Sequence, residues 1–154
     1  MRRIVCMIFI CLGSLVAAAA KDVALVSNKD NGIQAVTTPE LVKICKGQTS
    51  RWPDGKPVTF VMLDPGSAEM KVVVQKLYES TPDQVKSVIL AANHDRTNHP
   101  AVVIVTSDEA LVQKVAGTPG AVGVVDVYAI TSSVNVIKVS GKLPLEPGYL
   151  LHGN

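Results

Sequence analysis

Short apolar runs alternate along the chain with segments that carry helix signals, and this alternation limits the fold more than any other feature. The runs are rich in Val, Ile, Leu and Ala and have the length of strands. They cover residues 22–27, 57–63, 101–105, 121–125 and 134–139. Because helices separate most of them, we expect an α/β or α+β domain with three layers, α/β/α, around a mixed sheet. A chain of 154 residues usually forms one such domain.

Four helices are predicted from the residues that would cap them. Thr38, Ser67, Thr81 and Ser107 each precede an apolar pattern of helical period, and each has a hydroxyl that can accept from the first turn. Proline directly follows two of these residues and suits the first helical position. Gly47 is expected to close the first helix in a left-handed conformation.

The N-terminus has the layout of a cleavable signal peptide. Arg2 and Arg3 begin it, an apolar run covers residues 4–16, and small residues that include Ala18 and Ala20 follow. We therefore predict a signal peptide at 1–20, cleavage near Ala20, a mature domain at 21–154, and a periplasmic or secreted location.

Two other interpretations of this segment are less favoured. A membrane anchor needs about 20 apolar residues, and this run is shorter. Lipid modification would fall on Cys6 or Cys11, but Val5 and Ile10 precede them where a small residue is usual.

Removing the signal makes the domain neutral. Lys plus Arg falls from 15 to 13 with the loss of Arg2 and Arg3, and Asp plus Glu stays at 13. A neutral chain without a basic run is a poor nucleic-acid binder, so no nucleic-acid partner is expected. Cys45 alone remains of the three cysteines. Its place on an apolar helical stripe predicts a buried, unreactive thiol.

Other polar residues give no strong sign of catalysis or metal binding. His94, Asp95 and His99 lie in a polar segment, but their spacing does not match a helical ligand pair and no third ligand is evident. No G-x-S-x-G nucleophile motif is present. An exposed loop is the favoured interpretation of the histidines, and we predict no catalytic residue, no metal and no cofactor.

Trp52, Arg51 and Arg96 are the remaining candidates outside the helices. A lone Trp beside Pro-Asp-Gly usually packs over a turn, so Trp52 is expected to close the edge of the core. The two arginines are cations suited to an anion, although nothing in the sequence places them together.

The order of several motifs resembles that of the periplasmic phosphate-binding proteins of ABC transporters. Residues 44–47 (Ile-Cys-Lys-Gly) end a predicted helix, residues 52–55 (Trp-Pro-Asp-Gly) follow, and Gly66-Ser67 begin another helix after a strand. Thr-Pro-Gly-Ala-Val-Gly comes later, at residues 118–123. The resemblance covers most of residues 23–150. It implies the type II periplasmic-binding fold, with about one of its two lobes in the 134 residues that follow the signal.

The resemblance also implies a way of holding phosphate, which this chain matches only in part. Members of the family hold the anion with a Ser that caps a helix, an Arg four residues before it and a Thr two residues after it. Ser67 matches the Ser, whereas Leu63 stands at the Arg position and Glu69 at the Thr position. Gly66 and Ser67, together with the free cation Arg51, are the predicted ligand-binding residues. The alternative is that Ser67 only caps its helix.

The expected function is that of a non-enzymatic solute-binding protein, with phosphate or another small anion as its ligand. The alternative is an interaction or sensory module that has lost its ligand. Expected partners are a membrane permease, a sensor or a second protein chain, and a homo-oligomer would supply the second surface that one lobe lacks.

Overall fold

The computed structural model describes residues 21–153, and a mixed sheet forms its centre. The strands are β1 (Val23–Asn28), β3 (Thr59–Met62), β4 (Val102–Ile104), β5 (Ala121–Asp126) and β6 (Val134–Val136), in the order β4-β3-β5-β1-β6. A second, two-stranded sheet pairs β2 (Ala35–Val36) with β7 (Lys138–Val139). The predicted signal peptide, with Cys6 and Cys11, lies outside the described residues.

Helices cover the central sheet and complete the expected three layers. The helices are α1 (Thr38–Cys45), α2 (Lys71–Val73), which continues into a π-helix (Val74–Tyr78), α3 (Pro82–Asn93) and α4 (Asp108–Gly117). Helix α4 packs on β1, β3 and β5, while α1 packs on β3 and on the π-helix. The predicted three-layer α/β fold with a mixed sheet is confirmed.

The direction of the strands gives the central sheet two different edges. Strand β3 runs parallel to both β4 and β5, so these three strands end together. We call the edge at which they end the C-terminal edge, and the edge at which they begin the N-terminal edge. Strand β1 runs antiparallel to β5 and to β6. In sheets of this kind, ligands usually lie beyond the C-terminal ends of parallel strands.

The predicted caps are confirmed for α3 and α4, and the cap of α1 is one residue earlier than predicted. Thr81 and Ser107 accept from the backbone N–H groups of Gln84 and Ala110. Thr37, in place of Thr38, caps α1. It forms a reciprocal capping box with Glu40, for which the Thr-x-x-Glu spacing is the signal. Gly47 has a φ of +69°, as its predicted left-handed role requires.

The helix predicted to begin at Ser67 begins instead at Lys71, so the prediction that Ser67 is a helix cap is wrong. Asp64 accounts for the difference. Its side chain accepts from the Gly66 N–H at 2.7 Å, and its carbonyl accepts from the Ser67 N–H at 2.9 Å. These local bonds hold the chain in turns up to Met70.

Two strand predictions also need correction. The continuous apolar run at 101–105 predicts a strand buried on both faces, but β4 lies at one side of the sheet and Ile104 is 41% exposed. The run at 134–139 forms two strands, β6 and β7, in different sheets. Between them Ile137 is fully buried, and its N–H donates to the Leu25 carbonyl at 2.9 Å.

Candidate functional site

The C-terminal edge opens into a cavity of about 860 Å³, which we call the C-terminal cavity. Its walls come from the segments that follow β3, β4 and β5, together with the last residue of β4 and the start of α4. The lining residues are Leu63, Asp64, Ser67, Glu69, Ile104, Val105, Thr106, Ser107, Asp108, Glu109, Tyr128, Ala129 and Thr131. Its position is the one expected for a ligand site in an open α/β sheet.

Ser67 lines this cavity, but the backbone beside it is already engaged. The N–H groups of Gly66 and Ser67 both donate to Asp64, as described above. A free pair of N–H groups at this position would suit an anion. Here the Asp64 carboxylate already accepts from the Gly66 N–H, so few backbone donors remain for a bound anion at this point.

Two polar atoms in the cavity wall have no hydrogen-bond partner among the described residues. They are the Ser67 hydroxyl oxygen and one carboxylate oxygen, Oδ1, of Asp108, and both atoms are buried. Burial raises the pKa of Asp108, a hydrogen bond from the Asp126 backbone to the carboxyl group lowers it, and the nearby charges of Asp126 and Glu69 raise it again. Buried polar atoms are rarely left without partners, so these two indicate where a bound molecule could supply them.

The charge around the cavity is mostly negative. Asp64, Glu69, Asp108 and Glu109 line it, and no Lys, Arg or His is among the lining residues. Lys21 lies nearby and forms ion pairs with Glu69 at 3.0 Å and with Asp126 at 3.5 Å. The Glu69 carboxylate accepts a hydrogen bond from its own backbone and a second one from Lys21, and both bonds lower the pKa of Glu69.

Arg51 is not brought together with Gly66 and Ser67. It lies before β3, where it forms an antiparallel bridge with Pro57, whereas Ser67 comes after the same strand. Arg51 instead lines a smaller cavity with Arg96, at the N-terminal edge. The structure thus places together two arginines that the sequence could not relate.

The predictions for Trp52 and Cys45 are confirmed. Trp52 is 9% exposed, and its indole N–H donates to the Gly120 carbonyl at 2.7 Å, which ties its turn to the start of β5. Cys45 is fully buried, and burial raises the pKa of its thiol far above the ordinary value. A thiol in that environment is a poor nucleophile.

The histidine segment is exposed, as expected. The side chains of His94 and Asp95 are 81% and 87% exposed and lie 3.3 Å apart. Within residues 21–153, no group of three or more His, Cys, Asp or Glu side chains is arranged to hold a metal ion. Over the same range, no helix has both the length and the apolar character needed to cross a membrane.

Sequence reasoning missed Asp64 and Asp108, although a signal for both was present. Each stands within a few residues of the end of an apolar run, at 57–63 and 101–105. If those two runs had been taken as parallel neighbours, both carboxylates would have been placed at one edge of the sheet. Parallel pairing of strands that are about 40 residues apart is a tertiary feature that periodicity does not reveal.

The fold is similar to that of solved phosphate-binding proteins. An ABC-type phosphate transport receptor from Vibrio cholerae superposes with a TM-score of 0.65 at 20% identity, over 82% of this chain and 49% of that one. A phosphate-binding protein from Stenotrophomonas maltophilia gives 0.64 at 18% identity, over 82% and 41%. PstS from Borrelia burgdorferi gives 0.61 at 17%, over 82% and 50%. The chain thus spans half or less of the length of these proteins.

A family model adds to this likeness of fold. Among curated proteins, none matches the chain. The model of the PBP superfamily domain, however, matches residues 15–146, which is most of the sequence. Together with the three-layer fold and the cavity at its C-terminal edge, this match establishes that the chain belongs to the PBP superfamily domain family.

Proposed function

We propose that this protein is an exported, non-enzymatic solute-binding module and that its solute lies in the C-terminal cavity. The observation that carries the proposal is the pair of unpartnered atoms in the cavity wall, the Ser67 hydroxyl and Asp108 Oδ1. A carboxylate oxygen can only accept, while a hydroxyl can both donate and accept. The solute that fits must therefore offer an O–H or N–H group to Asp108 and a polar atom to Ser67.

Phosphate or another small anion is the first ligand class to test. The similar structures are phosphate receptors, and a protonated phosphate carries both an O–H donor and acceptor oxygens. The surrounding carboxylates oppose an anion, and Leu63 provides no positive charge. We therefore expect phosphate to bind weakly in this cavity, and a neutral solute with hydroxyl groups meets the same hydrogen-bonding demand at a lower electrostatic cost.

The lining residues also support the proposal that the module is not an enzyme. Ser67 is the buried hydroxyl of the cavity, and activation of a serine requires a base within hydrogen-bond reach. Among the described residues no His lines the cavity, so Ser67 has no imidazole base of the kind that activates the serine of many hydrolases. We propose a protein that binds, with export directed by residues 1–20 and with a permease or sensor protein as its partner.

A second candidate function is a protein-interaction module, and the exposed rim of the cavity favours it. Tyr128 is 89% exposed and Ile104 41% exposed, although both are large apolar residues. Tyr is enriched in protein interfaces because it combines apolar area with a polar tip. A second domain or a second chain that covered this rim would also close the open cavity.

Calorimetry and thermal unfolding with a panel of solutes test the primary proposal. The panel contains phosphate, sulfate, phosphate monoesters and neutral polyols at low ionic strength. We expect at least one solute to release or absorb heat on binding and to raise the unfolding temperature, because binding to the native state stabilises it. Ser67→Ala should weaken that binding about tenfold, as loss of one hydrogen bond in a buried site does.

Ser87→Ala provides the matched control, since Ser87 lies exposed on α3 and away from the cavity. It should leave the affinity unchanged. Equal affinity of the Ser67→Ala and Ser87→Ala variants for every solute that binds, or no response to any solute, would overturn the solute-binding proposal and leave the interaction module as the better account.

A further inference from the structure

The N-terminal edge of the sheet has a second cavity, whose charge is opposite to that of the first. It has a volume of about 280 Å³ and lies where residues 50–58 meet the loop between α3 and β4. We call it the arginine pocket, because Arg51 and Arg96 both line it. The side chains or backbone of Ser50, Thr97, Asn98 and His99 also contribute to its wall.

Each arginine is held by a backbone carbonyl and retains most of its donors. The Arg51 Nη1 group donates to the Gly55 carbonyl at 2.9 Å, and the Arg96 Nη2 group to the Gly47 carbonyl at 3.5 Å. A guanidinium has five N–H donors in a planar fork. Within residues 21–153, neither arginine has a carboxylate at ion-pair distance. Each guanidinium thus has one backbone contact and keeps donors for a further partner, and within the described residues its charge is not neutralised by an ion pair.

The remaining wall supplies polar groups and one opposing charge. Asp95 lines the pocket, but its carboxylate is 3.3 Å from the His94 ring. With neutral histidines the lining has two positive charges and one negative charge. Two arginine residues that line one small cavity give it a net positive charge, which an anion would offset. The arrangement has the chemistry of an oxyanion site.

We propose that the arginine pocket binds a small oxyanion that bears a phosphoryl group, by bonds from the Arg51 and Arg96 guanidinium groups. The ligand is either free inorganic phosphate or the phosphate group of a small ester. The volume of about 280 Å³ has room for such a group. This site is separate from the C-terminal cavity and does not depend on the function proposed for it.

Calorimetric titration with sodium phosphate at low ionic strength tests the proposal, with sodium chloride at matched ionic strength as the control. The wild-type protein should bind phosphate and give no heat with chloride. The double variant Arg51→Gln/Arg96→Gln should bind at least tenfold more weakly, because charge-assisted hydrogen bonds are lost at two points. Lys114→Gln removes a charge from the exposed face of α4, outside the pocket, and should keep the wild-type affinity.

Two further variants make the result specific. The double variant Arg51→Lys/Arg96→Lys keeps both positive charges but loses the planar guanidinium groups. Its affinity should lie between those of the wild type and the Gln variant. It also replaces the Gln variant in the test if the Gln variant does not fold. Ser67→Ala should leave this binding unchanged, which separates it from binding in the C-terminal cavity.

A second titration, with glycerol phosphate, distinguishes a phosphate ester from free phosphate as the ligand. Tighter binding of glycerol phosphate than of phosphate indicates an ester, and weaker binding indicates the free anion. Absence of phosphate binding by the wild type, or wild-type affinity in the Gln variant, would overturn the proposal.

Discussion

The two edges of the central sheet differ both in charge and in the way they are held together. At the N-terminal edge, close backbone contacts through Gly120 and the Trp52 indole fix the turn that carries Arg51. At the C-terminal edge, carboxylates line a larger cavity, and the Ser67 hydroxyl and Asp108 Oδ1 have no partner within the described part of the chain. From this contrast we expect an anion to bind at one end of β3, β4 and β5, and a neutral solute with hydrogen-bonding groups to bind at the other end.

The largest expected effect comes from the backbone contact at the N-terminal edge. Gly120 has a φ of +85°, and a Cβ atom there would collide with the Pro57 carbonyl oxygen. Gly120→Ala should lower the free energy of unfolding by about 3 kcal/mol or more, because it adds a steric clash to an unfavourable φ. Urea denaturation followed by circular dichroism measures this.

Gly117→Ala is the control for that substitution. No atom lies within 4 Å of a Cβ placed at Gly117, and its φ is not positive. Its free energy of unfolding should stay within about 0.5 kcal/mol of the wild-type value, or rise slightly. Equal stability of the two variants would mean that the close approach of Gly120 to Pro57 is not a constraint on this edge.

The next effect concerns the Trp52 indole. Trp52→Phe keeps an aromatic ring in the core and removes the N–H that bonds to the Gly120 carbonyl at 2.7 Å. Leaving that buried carbonyl without its donor should cost about 1–3 kcal/mol in the free energy of unfolding. Trp52 is the sole tryptophan, so unfolding has to be followed by circular dichroism instead of tryptophan fluorescence. No change in stability would show that the ring alone holds this turn.

At the C-terminal edge, Asp64 offers a smaller effect with two informative variants. Asp64→Ala removes the acceptor of the Gly66 N–H and should lower the free energy of unfolding by about 1 kcal/mol. Asp64→Asn keeps an acceptor oxygen, so it should stay close to the wild-type stability while removing a negative charge. If both variants lose the same amount, the charge of Asp64 matters more than its hydrogen bond.

The smallest effect is a pH dependence that involves Asp108. Its pKa is raised in the folded protein, so the folded state resists ionisation and loses stability as pH rises from about 3.8 through the raised pKa. Asp108→Asn should therefore be more stable than the wild type at pH 7. That advantage should shrink as pH falls from the raised pKa towards about 3.8 and stay at its smallest value below, where Asp108 is mostly protonated in both states. An advantage that stayed constant with pH would contradict this assignment.

The signal peptide predicted at residues 1–20 gives a prediction about the N-terminus of the protein after export. Mass spectrometry of the exported protein should find an N-terminus at or within two residues of Lys21, because Ala18 and Ala20 have the small-residue pattern of a cleavage site. A chain that retained Arg2 and Arg3 would contradict the prediction.

Local features of the fold could be predicted from the sequence, whereas features that depend on pairing could not. Thr81, Ser107 and Gly47 act through bonds to near neighbours in the chain, so their residue types were sufficient. Ser67 was misassigned because Asp64, three residues earlier, accepts from the N–H groups of Gly66 and Ser67 and holds this segment in a turn instead of a helix. The division of residues 134–139 into two sheets depends on β1 and β2, which are about 100 residues away.

In the candidate sites, too, local motifs could be predicted from the sequence, whereas groupings that depend on strand pairing could not. Ser67 was found in advance because it matched a motif, but the acidic lining around it depends on how β3, β4 and β5 are arranged side by side. Arg51 and Arg96 meet because the turn before β3 and the loop before β4 share the N-terminal edge. The spacing of Arg51 and Arg96 in the sequence does not predict that they line one pocket, because this depends on the parallel pairing of β3 with β4.

The difference in phosphate affinity between the two edges can be tested by an NMR titration of the wild-type protein with phosphate. Amide signals at both edges are followed in the same experiment. The account predicts that the amides of Ser50, Thr97 and Asn98 shift at low phosphate concentration. It predicts that those of Gly66, Ser67 and Asp108 shift only at much higher concentration. Shifts that begin at Gly66 and Ser67 and leave the arginine pocket unchanged would contradict it.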